Sequence, residues 1–160
     1  MAVDMFIKIG DIKGESADKA HKDEIDVLAW SWSLSNSGTT HVGGGGGAGK
    51  VNVNDISITK YIDSASHALI QAACSGKHFK EAKLTVRKAG GKPLEYIKIK
   101  LEEVLVTSVQ EGGSGGEDRL TENITLNFAK FTYEYTPQDT AGAAGAVKTA
   151  KWDIKQNTDA

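Results

Sequence analysis

Apolar residues recur at every second position along most of the chain, which is the period of a strand with one buried face. The segment Val27–Leu34 shows this pattern most clearly. Its even positions carry only leucine and tryptophan, whereas Ala29, Ser31 and Ser33 at the odd positions are small and uncharged. We therefore predict a strand with an apolar core face and a flat, neutral outer face.

The same period predicts further strands: Met5–Ile9, Val51–Thr59, Lys83–Arg87, Leu94–Val109, Leu120–Tyr135 and Val147–Ile154. In three of them the apolar positions change parity, near residues 54–55, 102–103 and 129–130. A β-bulge that bends the strand explains such a change, and so does the end of one strand and the start of another. Bent strands favour a curved β-barrel of two sheets over a flat sheet.

One helix interrupts the strands. The alanine-rich segment Ala65–Ser75 follows the capping candidates Asp63 and Ser64, and Gly76 stands where helices commonly stop. A narrow apolar stripe on this helix favours a lid on the barrel. The predicted fold class is mainly β, with one short α-helix.

The loops are rich in glycine. The longest, Ser35–Gly49, is an extended loop, and loops of this length inside a compact domain commonly have a function. A second glycine run, 112–116, leads into Glu117, Asp118 and Arg119. We predict both loops to take part in contacts.

Length and charge narrow the class of protein. The 160 residues suit a single domain, 1–160, and a formal net charge of −2 disfavours nucleic-acid binding. The only cysteine, Cys74, cannot form an intramolecular disulfide, and we interpret it as a buried helix residue. The N-terminus resembles no signal peptide, and no apolar stretch approaches the ~20 residues of a membrane span. We expect a protein made in the cytoplasm, with no membrane insertion.

No enzyme signature is present. Residues 44–50 match the start of a phosphate-binding loop, but Val51 replaces the required Ser or Thr, and the following residues alternate like a strand. The histidines follow no metal spacing, and we interpret all of them as surface or turn residues: His21, His41, His67 and His78. Trp30 and Trp32 fit a core better than a ligand-stacking site. We expect no catalysis, no metal and no cofactor.

Long segments of the chain resemble a known family. They are MAVDMFIKIGDIKGES, EIDVLAWSWS, GGGGGAGKV with ITKYID, CSGKH, LTVRKAGG and GGSGGEDRLTENITLNF. All are similar to the haemolysin-coregulated proteins, the tube subunits of type VI secretion systems. The likeness runs from Met1 to about Tyr135 and returns at Trp152–Asn157.

The resemblance implies a fold and a set of partners. It implies a β-barrel of two curved sheets with a helix at its side, six copies in a ring, and rings stacked into a tube. A valine–glycine-repeat spike protein would cap the tube, a contractile sheath would surround it, and small effector proteins would be carried in its channel. The protein would assemble in the cytoplasm and then be secreted without a signal peptide. Residues 136–151 would form a variable loop and 152–157 a closing strand.

Three groups of residues become candidate sites. Strand parity and the resemblance make Ala29, Ser31 and Ser33 candidates for the channel lining. The extended loop would contact the next ring through Thr40, His41, Val42, Gly43, Gly46, Ala48 and Lys50. Glu117, Asp118 and Arg119 are candidates for the subunit interface, with a solvated salt bridge as the alternative. Two rival functions remain: a monomeric barrel that binds a small ligand behind its helix, and an enzyme with a phosphate site in the glycine loop.

Overall fold

The computed structural model describes residues 2–38, 41, 49–90 and 92–160, which form eleven strands and one helix. The strands are β1 Val3–Ile9, β2 Ile25–Asp26, β3 Ala29–Ser31, β4 Leu34–Ser35, β5 Asn52–Val53, β6 Ile56–Tyr61, β7 His78–Lys88, β8 Leu94–Glu111, β9 Thr121–Asn127, β10 Lys130–Tyr135 and β11 Lys148–Asp153. The helix, α1 Ser66–Ser75, lies between β6 and β7. The predicted mainly β class with one short helix is confirmed.

Nine strands form one antiparallel sheet in the order β2-β1-β7-β8-β9-β6-β3. β10 pairs with β8 next to β9, and β11 extends the sheet beyond β10. β4 and β5 form a separate two-stranded sheet at the base of the extended loop. The long strand β8 therefore has β7, β9 and β10 as neighbours and is central to the fold.

The hydrogen-bonded ladder does not close into the predicted barrel, because its end strands do not pair with each other. Those ends, β2 and β3, are successive parts of one segment, residues 25–31. The Val27 N–H donates to the Met5 carbonyl of β1 (2.9 Å), and the Leu28 N–H donates to the Thr59 carbonyl of β6 (2.8 Å). A single segment thus bridges the two edges of a curved sheet.

Alternate residues of the strands meet in one core, which includes Ile7, Ile25, Ile58, Leu84, Leu101, Ile124 and Leu126. Trp30 and Trp32 pack against this core as predicted, and the Trp32 ring meets the Phe131 ring edge-on at 4.9 Å. Leu28 and Leu34, however, are 41% and 49% exposed. The predicted strand is split, since β3 pairs with β6 whereas β4 pairs with β5 in the other sheet. Trp30 and Trp32 of the predicted apolar face therefore pack against the core, whereas Leu28 and Leu34 of the same face are exposed.

The three parity changes have different causes. Those near residues 54–55 and 129–130 separate distinct strands, β5 from β6 and β9 from β10. The change near 102–103 lies inside the continuous strand β8, where Glu103 has the left-handed φ of 54°. Leu101 and Val104 on its two sides are both fully buried. The positive φ thus lets β8 keep apolar residues in the core on both sides of the change.

The helix matches its prediction except at its N-terminus and at one cysteine. Neither Asp63 nor Ser64 is the N-cap, which is Ala65, although Asp63 Oδ1 accepts a hydrogen bond from the Ala65 N–H (2.9 Å). Gly76 ends the helix with a φ of 66°. Leu69 is buried, whereas Cys74 is exposed, so its predicted burial is wrong. The narrow apolar stripe covers only one side of α1.

The last strand agrees with the predicted Val147–Ile154, whereas the C-terminal bounds that the resemblance implied do not match the structure. The last strand is β11, whose register runs from Tyr135↔Lys148 to Lys130↔Asp153. The predicted loop 136–151 therefore includes most of a strand, and residues 154–157 of the predicted closing strand 152–157 form a turn. Pairing of Phe131 with Trp152 places the tryptophan against the core, which explains the register.

Candidate functional site

The outward side chains of β3, β6, β9 and the C-terminal part of β8 form two rows across four strands. The strand registers align the first row as Ser31, Ser57, Thr125 and Ser108. They align the second row as Ala29, Thr59, Asn123 and Gln110. We call these eight residues the neutral face, because none of them carries a charge. It extends the predicted Ala29 and Ser31 surface from one strand to four.

Polar groups of the neutral face bond to one another. Thr59 Oγ1 donates to Asn123 Oδ1 (2.6 Å), and the hydroxyls of Ser108 and Thr125 lie 2.6 Å apart. Hydrogen bonds already made within a surface leave fewer groups that gain by bonding a ligand. The neutral face is therefore polar enough to be hydrated. It carries no charge, and part of its hydrogen-bonding capacity is already used within the surface.

The charged residue Asp55 borders the neutral face. Asp55 accepts hydrogen bonds from Thr107 Oγ1 (2.6 Å) and from Asn127 Nδ2 (2.8 Å). Both carboxylate oxygens are thus engaged by neighbouring side chains. These two hydrogen bonds hold the Asp55 carboxylate against the edge of the neutral face.

Ser33 is separated from the other two predicted lining residues. It is exposed but lies after the end of β3. Its hydroxyl accepts from Asn54 Nδ2 (2.7 Å), and its carbonyl accepts from the Asn54 N–H (3.1 Å). Ser33 therefore belongs to the junction with the β4–β5 hairpin.

The β4–β5 hairpin is the described base of the extended loop. Between this hairpin and the rest of the loop, the Gly49 N–H donates to the Ser37 carbonyl (3.1 Å). Of the predicted stacking residues, His41 and Lys50 are exposed. The remaining ones lie outside the described residues: Thr40, Val42, Gly43, Gly46 and Ala48.

Glu117, Asp118 and Arg119 are exposed and lie next to the glycine run before β9. The Arg119 guanidinium lies over the Tyr61 ring at the end of β6, 3.8 Å from its centroid. This contact fixes Arg119 at the end of the neutral face. Whether the three residues contact another subunit stays a prediction.

Sequence reasoning missed a charged cluster beneath the neutral face. Lys60 and Glu122 are fully buried, face each other across β6 and β9, and form an ion pair. Lys60 Nζ also donates to Asp63 Oδ1 (2.9 Å), and Ser66 Oγ of α1 donates to Glu122 Oε1 (2.6 Å). The signal was available, because Lys60 continues the inward parity of Ile56 and Ile58. The cluster joins the helix to the sheet.

A second carboxyl adjoins this cluster. Glu111 of β8 is directly opposite Glu122 in the ladder. A hydrogen bond to Glu122, and then burial, raise the pKa of Glu111 to about 7. Burial opposes ionisation of Glu122, but its hydrogen bonds with Glu111, Lys60 and Ser66 prevail and lower its pKa. Two carboxyl groups thus face each other beside the cluster, and the negative charge of Glu122 also favours the protonated form of Glu111.

His21 lies in a turn, which is one of its two predicted positions, but its side chain is buried and not on the surface. Its Nδ1 lies 2.8 Å from Glu24 Oε2, its Nε2 lies 2.5 Å from Glu95 Oε1, and its ring stacks on Phe6 at 4.5 Å. No local pattern indicates this contact, because Glu95 lies 74 positions away in sequence.

A second ion pair fixes the same loop. Arg87 of β7 binds Asp18 through Nη2 (2.5 Å) and Asp4 of β1 through the same nitrogen (3.1 Å). The hydrogen bond from Arg87 lowers the pKa of Asp18 to about 2. The loop before β2 is thus held against the sheet by charges at two points.

Within the described parts of the chain, no helix is both long and apolar enough to cross a bilayer. Those parts also contain no group of three or more His, Cys, Asp or Glu side chains arranged to hold a metal ion.

Comparisons with known proteins agree with one another. A family model described as "Type VI secretion system effector, Hcp" matches residues 6–135. Protein hcp1 of Pseudomonas aeruginosa is 67% identical over 163 residues, with both chains covered in full. The crystal structure of Hcp1 from Salmonella typhimurium is 37% identical, covers 100% of both chains and gives a TM-score of 0.82.

A solved structure described as a type six secretion system protein gives a TM-score of 0.92 at 34% identity, over 98% of this chain and 99% of that one. The matched fold, the matched sequence and the nearly complete coverage all indicate the same family, which confirms the resemblance. The chain belongs to the Hcp family of secreted type VI secretion proteins.

Proposed function

We propose that this chain is a structural subunit of a type VI secretion tube. Six copies form a ring, rings stack into a tube, and small effector proteins are carried in the channel without any catalysis. The tube assembles in the cytoplasm, where a valine–glycine-repeat spike protein caps it and a contractile sheath surrounds it. The tube is then secreted. Family membership supports this role.

The neutral face is the observation that carries the proposal. A channel that holds varied proteins and releases them needs a wall without deep or charged binding points. The two aligned rows are small and uncharged, and several of their polar groups bond to one another. We therefore propose that the neutral face, including Ala29 and Ser31, lines the channel, with Ser33 at its border.

The extended loop and the Arg119 region are the proposed contacts between copies. The β4–β5 hairpin gives the loop a fixed base at one end of the fold. Repeated head-to-tail contacts between identical subunits close into a ring when the rotation allows it. Glu117 and Asp118, which are exposed beside the neutral face, are candidates for the contact within the ring.

The solution mass tests the ring. Light scattering after size-exclusion chromatography should give about six times the 17.0 kDa subunit mass, and negative-stain images of that peak should show open rings. A monomer at micromolar concentration would contradict self-assembly. It would favour the rival interpretation of a monomeric ligand-binding domain.

Ser31→Gln tests the channel lining. The larger side chain should lower the amount of co-purified effector about fivefold, which corresponds to about 1 kcal/mol, while rings still form. Thr132→Gln is the matched control, because Thr132 lies outward on β10, away from the neutral face. Unchanged effector retention in Ser31→Gln, or an equal loss in Thr132→Gln, would contradict the assignment.

A further inference from the structure

A second sector of the sheet consists of β1, β7, the N-terminal part of β8, β10 and β11. A row of lysines lies on the outward side of this sector. The registers of β1, β7, β8, β10 and β11 align Lys8, Lys83, Lys100, Thr132 and Lys151. Four of these five positions carry a positive charge, and we call them the lysine row. Neighbouring strands lie about 4.8 Å apart, so the row spans about 19 Å.

The lysine row places like charges directly opposite each other. Lys83 faces Lys8 on one side and Lys100 on the other, and such pairs destabilise a sheet. Lys100 has Glu81 and Glu102 at 3.8 Å. Within the described part of the chain, Lys8, Lys83 and Lys151 form no ion pair with a carboxylate. The repulsion is therefore only partly compensated within the fold.

The rows beside the lysine row restrict what can bind it. On one side the registers align Glu81, Glu102, Lys130 and Asp153, which carry three negative charges. On the other side Lys98 is followed by Glu134. Carboxylates therefore border the lysine row on both sides, interrupted by Lys98 and Lys130. A nucleic acid presents phosphates over a broad surface and would meet these carboxylates, so it fits poorly.

We propose that the lysine row docks an acidic helix of a protein partner. Side chains at positions i, i+3 and i+7 of a helix lie about 4.5 and 10.5 Å apart along its axis. One and two strand spacings, about 4.8 and 9.6 Å, match these intervals. A line of carboxylates on such a helix lies along the lysines, and basic side chains on its flank face the acidic row.

A cavity of about 620 Å³ lies at the Lys8 end of the lysine row. Its lining has both signs of charge, with three lysines and three glutamates: Lys8, Lys80, Lys83, Glu24, Glu81 and Glu95. Beside the cavity, hydrogen bonds join His21 to Glu24 and Glu95, and the Arg87–Asp18 ion pair holds the loop before β2. The lysine row and this cavity are both formed within a single chain.

The probe is a synthetic helical peptide with glutamates at i, i+3, i+7 and i+11 and lysines on one flank. Its control has the same composition with the glutamates spread around the helix. Fluorescence anisotropy at low salt should show binding of the patterned peptide at least about fivefold tighter than the control peptide. Equal binding of the two peptides, or no binding of the patterned one, overturns the proposal. Tighter binding of duplex DNA would assign the surface to nucleic acid and also overturn it.

Two charge-reversal variants locate the surface. Lys83→Glu should weaken binding of the patterned peptide about tenfold. Lys148→Glu changes the net charge equally at an exposed position on the opposite face of β11, and binding should not change. An equal loss in both variants would show attraction to overall charge and reject the lysine row.

Thermal unfolding gives a measurement that needs no partner. Lys83→Glu replaces two like-charge pairs with two opposite-charge pairs and should raise the Tm by about 1–3 °C. Lys148→Glu should leave the Tm unchanged. A lower Tm in Lys83→Glu would show that the row is not under repulsion and would remove the basis of the proposal.

Discussion

The neutral face and the lysine row are built on the same core but present opposite chemistry to their surroundings. Both consist of outward side chains aligned across neighbouring strands. The neutral face aligns hydroxyl, amide and methyl groups, whereas the lysine row aligns four ammonium groups. The neutral face therefore suits weak contacts with varied proteins, whereas the lysine row suits a specific partner of opposite charge.

The strand β8 belongs to both sectors. Its N-terminal part presents Lys98, Lys100 and Glu102, and its C-terminal part presents Thr107 and Ser108. The left-handed Glu103 lies between these parts, where the apolar positions change parity. The change of surface chemistry therefore coincides with the change of parity in the strand.

The two sectors also differ in the direction in which their charged side chains point. Beneath the neutral face, Lys60 and Glu122 point inward and neutralise each other in the core. In the other sector the charges point outward or lie in a surface loop. Inward charges keep a surface neutral but make stability depend on their pairing.

The largest effect is expected for Glu122→Leu. It leaves Lys60 buried without its main partner, and loss of one member of a buried ion pair costs about 3–5 kcal/mol. Urea unfolding at one fixed protein concentration measures the loss. The double variant Lys60→Met/Glu122→Leu removes both charges and should recover much of the lost stability. A double variant as unstable as the single one would show that packing, and not charge pairing, dominates.

A medium effect is expected for His21→Ala, beside the lysine row. The change removes hydrogen bonds to Glu24 and Glu95 and the stack on Phe6, and should lower the free energy of unfolding by about 2 kcal/mol. The exposed His67 of α1 provides the control, because His67→Ala should change stability by less than about 0.5 kcal/mol. Equal effects of the two substitutions would contradict a structural role for His21.

The smallest effect concerns pH and Glu111, at the edge of the neutral face. Its pKa is raised to about 7 in the folded chain, so its contribution is complete below the unfolded value of 4.5 and is lost as pH rises through about 7. Because Glu111 is exposed and screened by water, the loss should be about 1 kcal/mol or less. Glu111→Gln should flatten the stability profile between pH 5 and pH 8, as measured by urea unfolding in parallel buffers. An unchanged profile would assign the pH dependence to another group.

The local elements could be predicted because their signals are local. Alternation located β1 and β8 to within two residues, and alanine content with Gly76 located α1. For β7 it found only the second half, because the predicted Lys83–Arg87 starts five residues after His78. The neutral surface around Ala29 and Ser31 followed from parity alone. The burial of Cys74 was wrong, since a helix with a narrow apolar stripe buries only one side.

The charged contacts could not be predicted, with one exception. Lys60 stands at an inward position of an apolar strand, which is a visible signal. His21 shows nothing comparable, because its partner Glu95 is distant in sequence and is brought near only by the packing of the loop on β1, β7 and β8. The split of the Trp30–Leu34 segment between two sheets was equally hidden.

Sequence patterns alone predicted the inward side chains of most strands, the position of the helix and the family likeness. Which outward residues stand side by side followed only from the folded chain. A period of two assigns a residue to a face, but the register between strands depends on turns and core packing far away in the chain. For this reason the lysine row and the full extent of the neutral face follow only from the strand registers, which pair Lys8 with Lys83 and Ser57 with Thr125.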